Sequence, residues 1–204
     1  MPPRLFLVRH GLSLPDPASP PETWGLDPAG LADIDVLVAS GRLPGDAVWF
    51  SSPEAKALGT AHLLAHGCGS GTESAEARGT TAHLCGCGAV TVVPELAEHR
   101  RGVHWFADPA AFRAAVRRAF EHPAARAVRE WEPLAAARDR LLPAVRRILD
   151  AHPDTDVVLT GHGTAWTLLV SELTGARPDL DAWAALRMPD LWVVDRPEHA
   201  GATE

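Results

Sequence analysis

Five short apolar runs, separated by helical patterns, constrain this chain more than any other feature. Leu5–Val8, Val48–Phe50, Ala89–Val93, Val157–Leu159 and Leu191–Val194 are brief and rich in β-branched or aromatic residues, the mark of buried strands. Between them lie segments with apolar residues at helical spacing. Leu26 to about Ser40 follows the cap-and-proline entry Asp27-Pro28, and Glu54 to His66 follows Ser52-Pro53. Asp108-Pro109 precedes Phe112, Val116 and Phe120 in the same way. Leu134, Leu141, Val145, Ile148 and Leu149 form a stripe with arginines opposite, and Ala165 to Leu173 ends at Gly175 and Pro178. Strands alternating with helices predict an α/β fold: a mostly parallel open sheet with helices on both faces.

A chain of 204 residues is long enough to bury a substantial core and fits a single domain spanning 1–204. Residues 66–88, rich in Gly, Ala, Thr and Cys, break the rhythm and read as a loop insertion. A net charge of −7 argues against a surface that coats nucleic acid. No apolar run is long enough to span a bilayer, and the N-terminal apolar stretch is too short for an export signal. The cytoplasm is therefore the expected compartment, and oligomeric state is not legible. Asn, Gln and Tyr are absent from the sequence, so chemistry must come from other residue types.

In an open parallel sheet, ligands gather at the carboxyl ends of the strands. The first strand delivers Arg9, His10 and Gly11, with Ser13 beyond them. "VWFSSPEAK" delivers Ser51 and Ser52, then a helix carrying Lys56 in its first turn. At least one of these serines is expected to cap that helix. "DVVLTGHGT" delivers His162 and Gly163 at the mouth of the last long helix. Two His-Gly pairs and several cations converging on one sheet edge suit an anion.

These segments resemble the histidine phosphatase superfamily, also called the phosphoglycerate mutase-like family. "LVRHG" with Ser13 fits its Arg-His-Gly-x-Ser/Thr signature. "SSPEAKALGTA" is similar to Ser-Ser-Pro-x-x-Arg-x-x-x-Thr-Ala, "VVLTGHG" to the second histidine motif, and "ELAEHRRG" to the stretch bearing the acid. The resemblance spans about residues 4 to 175 and implies a phosphoglycerate mutase-like fold with a small helical cap, here about 95–135. It implies a phosphomonoesterase acting on a small soluble phosphate ester through a phosphohistidine, with neither metal nor other cofactor. His10 would be the nucleophile, His162 a donor to the oxyanions, and Glu98 the acid and then base. Arg9, Lys56, Gly11, Ser13 and Gly163 would bind phosphate. Glu95 competes with Glu98 for the acid's place.

The chemistry favours these residue types. A phosphoryl group needs cations and N–H donors over its oxygens, and a neutral imidazole offers a free lone pair for attack. Lys56 stands where the family has arginine, keeping the charge but not the fork. "LSLPDPASPP" and "REWEPL" replace other family residues. A phosphoglycerate-type mutase and a non-catalytic phosphate binder on the same fold are the alternatives. His66, Cys68, His83, Cys85 and Cys87 raise the idea of a zinc site, though free thiols in a loop fit their spacing better. Trp105, Phe106, Trp131, Arg100, Arg101 and His104 are expected to line the outer pocket, with ordinary helix packing an equal alternative for the tryptophans.

Overall fold

The computed structural model describes residues 2–69, 89–103 and 105–196. Its five strands are β1 (Arg4–Arg9), β2 (Val48–Ser51), β3 (Val90–Val92), β4 (Val157–Gly161) and β5 (Asp190–Asp195). They form one sheet in the order β3-β2-β4-β1-β5. β1, β4, β2 and β3 run parallel, and β5 pairs antiparallel with β1. The helices are α1 (Leu31–Ala39), α2 (Ala55–Gly69), α3 (Pro109–Glu121), α4 (Leu134–Ala151), α5 (Gly163–Thr174) and α6 (Leu180–Ala184).

Every strand expected from the sequence is present. The helices start where their caps stand: Asp108 accepts from the N–H groups of Ala110 and Ala111 at 2.8 and 3.2 Å. Asp27 opens a 3-10 turn at Pro28–Gly30 that leads into α1. α2 runs to Gly69, three residues beyond His66, into what the composition reads as loop. The remainder of that stretch, with His83, Cys85 and Cys87 of the zinc idea, lies outside the described residues, as does His104.

β1 shows why parallel strands read as unbroken apolar runs. Its side chains alternate between two cores. Leu5 and Leu7 pack with α4 and α5 through Leu141, Val145, Trp166 and Leu169. Phe6 and Val8 pack with α1 and α2 through Ile34, Leu37 and Leu64. The helix after β1 therefore covers one face and the helix after β4 the other. Adjacent strands whose connections depart to opposite faces leave a crevice at their carboxyl ends. That crevice lies between Arg9-His10 and His162-Gly163.

Close contacts hold its floor together. His10 N–H donates to Gly161 O at 2.9 Å, and the Trp166 indole N–H to Val8 O at 2.8 Å. A Cβ on Gly161 would stand 2.5 Å from the Trp166 ring, so only glycine lets α5 seat this closely. Among the described residues, no helix is long and apolar enough to cross a membrane.

Candidate active site

The crevice opens into a cavity of about 730 Å³ lined by Arg9, His10, Lys56, Glu98, His162 and Gly163, among others. The two imidazoles meet edge to face with centroids 5.3 Å apart. His10 Nδ1 lies 2.7 Å from Gly11 O. A carbonyl only accepts, so the proton sits on Nδ1 and the lone pair on Nε2. Burial, reinforced by the neighbouring His162, holds the His10 pKa well below 6.5. The ring is thus neutral at neutral pH, as a nitrogen nucleophile requires.

His162 is buried, and its Nε2 lies 2.8 Å from Ser52 Oγ. The same hydroxyl accepts from Glu54 N–H at 3.3 Å, so Ser52 both shapes the entry to α2 and orients the second imidazole. Arg9 Nη1 donates to Leu186 O at 2.8 Å and Arg187 O at 3.2 Å, while its buried Nε has no protein partner. Gly163 and Ser13 line the cavity. Gly11 N–H donates to Thr60 Oγ1 at 2.9 Å, and its missing side chain admits Ile34.

The loop bearing the acid is positioned from outside the motif. Arg140 donates to the carbonyls of Glu95, Ala97 and Glu98 at 2.9, 2.7 and 2.7 Å, and to Glu132 Oε1 at 2.8 Å. Glu132 also accepts Arg100 N–H at 2.9 Å. Glu98 faces the cavity, whereas Glu95 forms a surface pair with Arg147 at 3.1 Å. Of the two carboxylates, only Glu98 lines the cavity. Asp16 turns into its own loop, accepting Ala18 N–H at 2.9 Å.

Residues 5–194 match the profile of the Histidine phosphatase superfamily (branch 1). The chain belongs to that superfamily. Solved structures with the same fold include a mycobacterial glucosyl-3-phosphoglycerate phosphatase at 19% identity, covering 95% of this chain and 90% of that one, TM-score 0.67. Phosphoglycerate mutase from Bacillus anthracis str. Sterne is 15% identical over 95% of this chain and 88% of its own, TM-score 0.66. Bacillus stearothermophilus YhfR is 21% identical over 87% and 83%, TM-score 0.60. No curated protein matches the sequence.

Within this histidine phosphatase fold, Glu98 sits at the N-terminus of α5. Its carboxylate accepts N–H groups from His99 at 2.8 Å, Ala165 at 3.0 Å and Thr164 at 3.2 Å. Arg101 lies 3.8 Å away. Burial works to raise the Glu98 pKa, but Arg101, His162 and the His99 N–H outweigh it and hold it at about 2. A carboxyl depressed on folding contributes stability above its unfolded pKa of 4.5, lost as pH falls toward 2. The shift corresponds to about 3 kcal/mol. Glu98→Gln is expected to unfold more easily than wild type at pH 7 and to lose most of that difference near pH 2. Urea titrations at several pH values would show it, and parallel pH profiles for the two proteins would contradict it.

The aromatics divide differently from the sequence expectation. Arg100 and Arg101 line the cavity, but Trp131 is fully buried in a core with Phe106 and Phe112. Ring packing within that core needed Trp131 more than the pocket did. Trp24, Phe112 and Trp183 supply the aromatic wall instead. Trp24 also meets the half-exposed Trp105 edge to face at 6.0 Å. Trp24 lies far upstream of the acid loop and Trp183 far downstream, so no local pattern announces them.

Proposed function

We propose that this histidine phosphatase superfamily member is a phosphomonoesterase that hydrolyses a small phosphate ester through a phosphohistidine on His10. The observation that carries this reading is the His10 tautomer. Its Nδ1–H is held by Gly11 O, which leaves Nε2 with a lone pair beside His162 in a cavity supplied with cations.

His10 Nε2 attacks phosphorus as the bond to the ester oxygen breaks, and Arg9, Lys56 and His162 stabilise the charge on the phosphoryl oxygens. The leaving alkoxide takes a proton from Glu98. A phosphoryl dianion bound beside that carboxyl raises its proton affinity, so the group that is ionised in the free protein becomes protonated in the complex. Water then attacks phosphorus and gives Glu98 its proton; the N–P bond breaks, releasing orthophosphate and neutral His10. The cations needed are the protein's own, so the scheme calls for no metal.

The Glu54–Lys56 pair, at 2.6 Å, favours a second reading: a phosphate-ligand binder without turnover. Hydrolysis of an aryl phosphate that continues in excess chelator supports the esterase. Phosphate-dependent thermal protection with no hydrolysis supports the binder.

A further inference from the structure

The cavity contains an anion of its own. Glu54, just before α2, places Oε2 2.6 Å from Lys56 Nζ. Its Oε1 accepts the Glu98 N–H at 2.8 Å and stands 3.3 Å from His162 Nε2. Lys56 also donates to Pro21 O at 2.6 Å. The Glu54 and Lys56 side chains are 7% and 6% exposed, so little water loosens the pair. The two donors to this carboxylate come from separate segments of the chain, and His162 Nε2, whose own hydrogen bond runs to Ser52 Oγ, stands beside them. One of the two donors, Lys56, is a group that a phosphoryl oxygen needs in the proposed reaction.

Resting on that reading, we propose that Glu54 sets the phosphate affinity of the pocket: its carboxylate occupies the Lys56 ammonium, and a phosphoryl group binds by taking that donor from it. Two anions competing for the same buried ammonium repel each other, so occupancy by Glu54 weakens phosphate directly. The residue at position 56 suits such an exchange. It is the only lysine among the 19 Lys and Arg residues of the sequence. A compact ammonium on a flexible stem changes partners by rotation, whereas a guanidinium fork seated on a carboxylate holds its geometry. Glu54 lies at a position that the family's Ser-Ser-Pro motif leaves unspecified.

Inorganic phosphate is the probe. Titration calorimetry is expected to show binding at least tenfold tighter to Glu54→Gln than to wild type, with the gain lost in Glu54→Gln/Lys56→Met. Equal or weaker binding to Glu54→Gln, with phosphate still bound by wild type, overturns the proposal and leaves the esterase reading standing. Glu54→Gln leaves a buried ammonium without its counter-charge, which costs stability, so a second measurement uses the wild-type protein. Labelling with 15N-lysine gives a single side-chain ammonium resonance, which saturating phosphate is expected to shift. Phosphate that raises the melting temperature yet leaves this resonance in place overturns the proposal. If phosphate binds to none of these proteins and aryl phosphate is not hydrolysed, the reading of the pocket as a phosphoryl site fails, and the proposal with it.

Discussion

His10→Ala is expected to lower kcat/KM for an aryl phosphate by about ten-thousandfold or more, while phosphate still binds. The substitution removes the ring whose Nε2 lone pair is left free by the Nδ1–Gly11 O hydrogen bond. Arg9, Lys56 and His162 remain, so phosphate binding is expected to survive the substitution. Removing a nucleophile from a cooperating set costs nearly everything the set contributes, leaving only the part due to binding and electrostatics. The loss should appear in kcat rather than KM if the phosphoryl contacts are intact. Turnover within tenfold of wild type would place the nucleophile elsewhere.

Trp131→Ala is expected to destabilise the protein by about 3–5 kcal/mol, the range for truncating a fully buried large aromatic. The Trp131 ring packs edge to face against His99, Phe106 and Phe112, with centroids 5.3, 5.9 and 6.0 Å away. It also supports the site, because the Arg101 guanidinium lies over the Trp131 and Phe112 rings at 5.1 and 5.0 Å. That platform aims Arg101 at Thr164 Oγ1, to which it donates at 2.6 Å, and keeps it near Glu98. Urea unfolding reads the stability loss directly. A cost below about 1 kcal/mol would show that this cluster is not the core it is taken to be.

Strands buried on both faces announce themselves as continuous apolar runs, which is why β1 and β4, and the two histidines they deliver, are legible in the sequence. The reversed direction of β5 is not. It depends on how residues 175–189 cross the sheet edge, and Leu191–Val194 is equally apolar either way round. Local signals also place the helix starts, since Asp27 and Asp108 sit one residue before a proline.

Other parts of the site arise only from juxtaposition across the chain. Glu54 gains its meaning from Glu98 and His162, 44 and 108 residues away in sequence, the latter reached at 3.3 Å. Arg140 is one arginine of many on a helical stripe until its guanidinium meets three carbonyls of the acid loop. Trp131, in the cap region, reads equally as pocket wall or as helix packing, and only the fold decides, burying it wholly. Periodicity identifies which residues face a core but not which cavity lies beyond it.

The proposed mechanism turns on a covalent phosphoryl group on His10, which can be trapped. Wild-type protein mixed with a 32P-labelled phosphate ester should be quenched during turnover and digested under alkaline conditions, which preserve a phosphoramidate. Acid-labile label is expected on the peptide containing His10, formed and discharged at rates compatible with kcat. Steady hydrolysis by wild type with no label on that peptide, in an assay that detects a small fraction of phosphoenzyme, would contradict it.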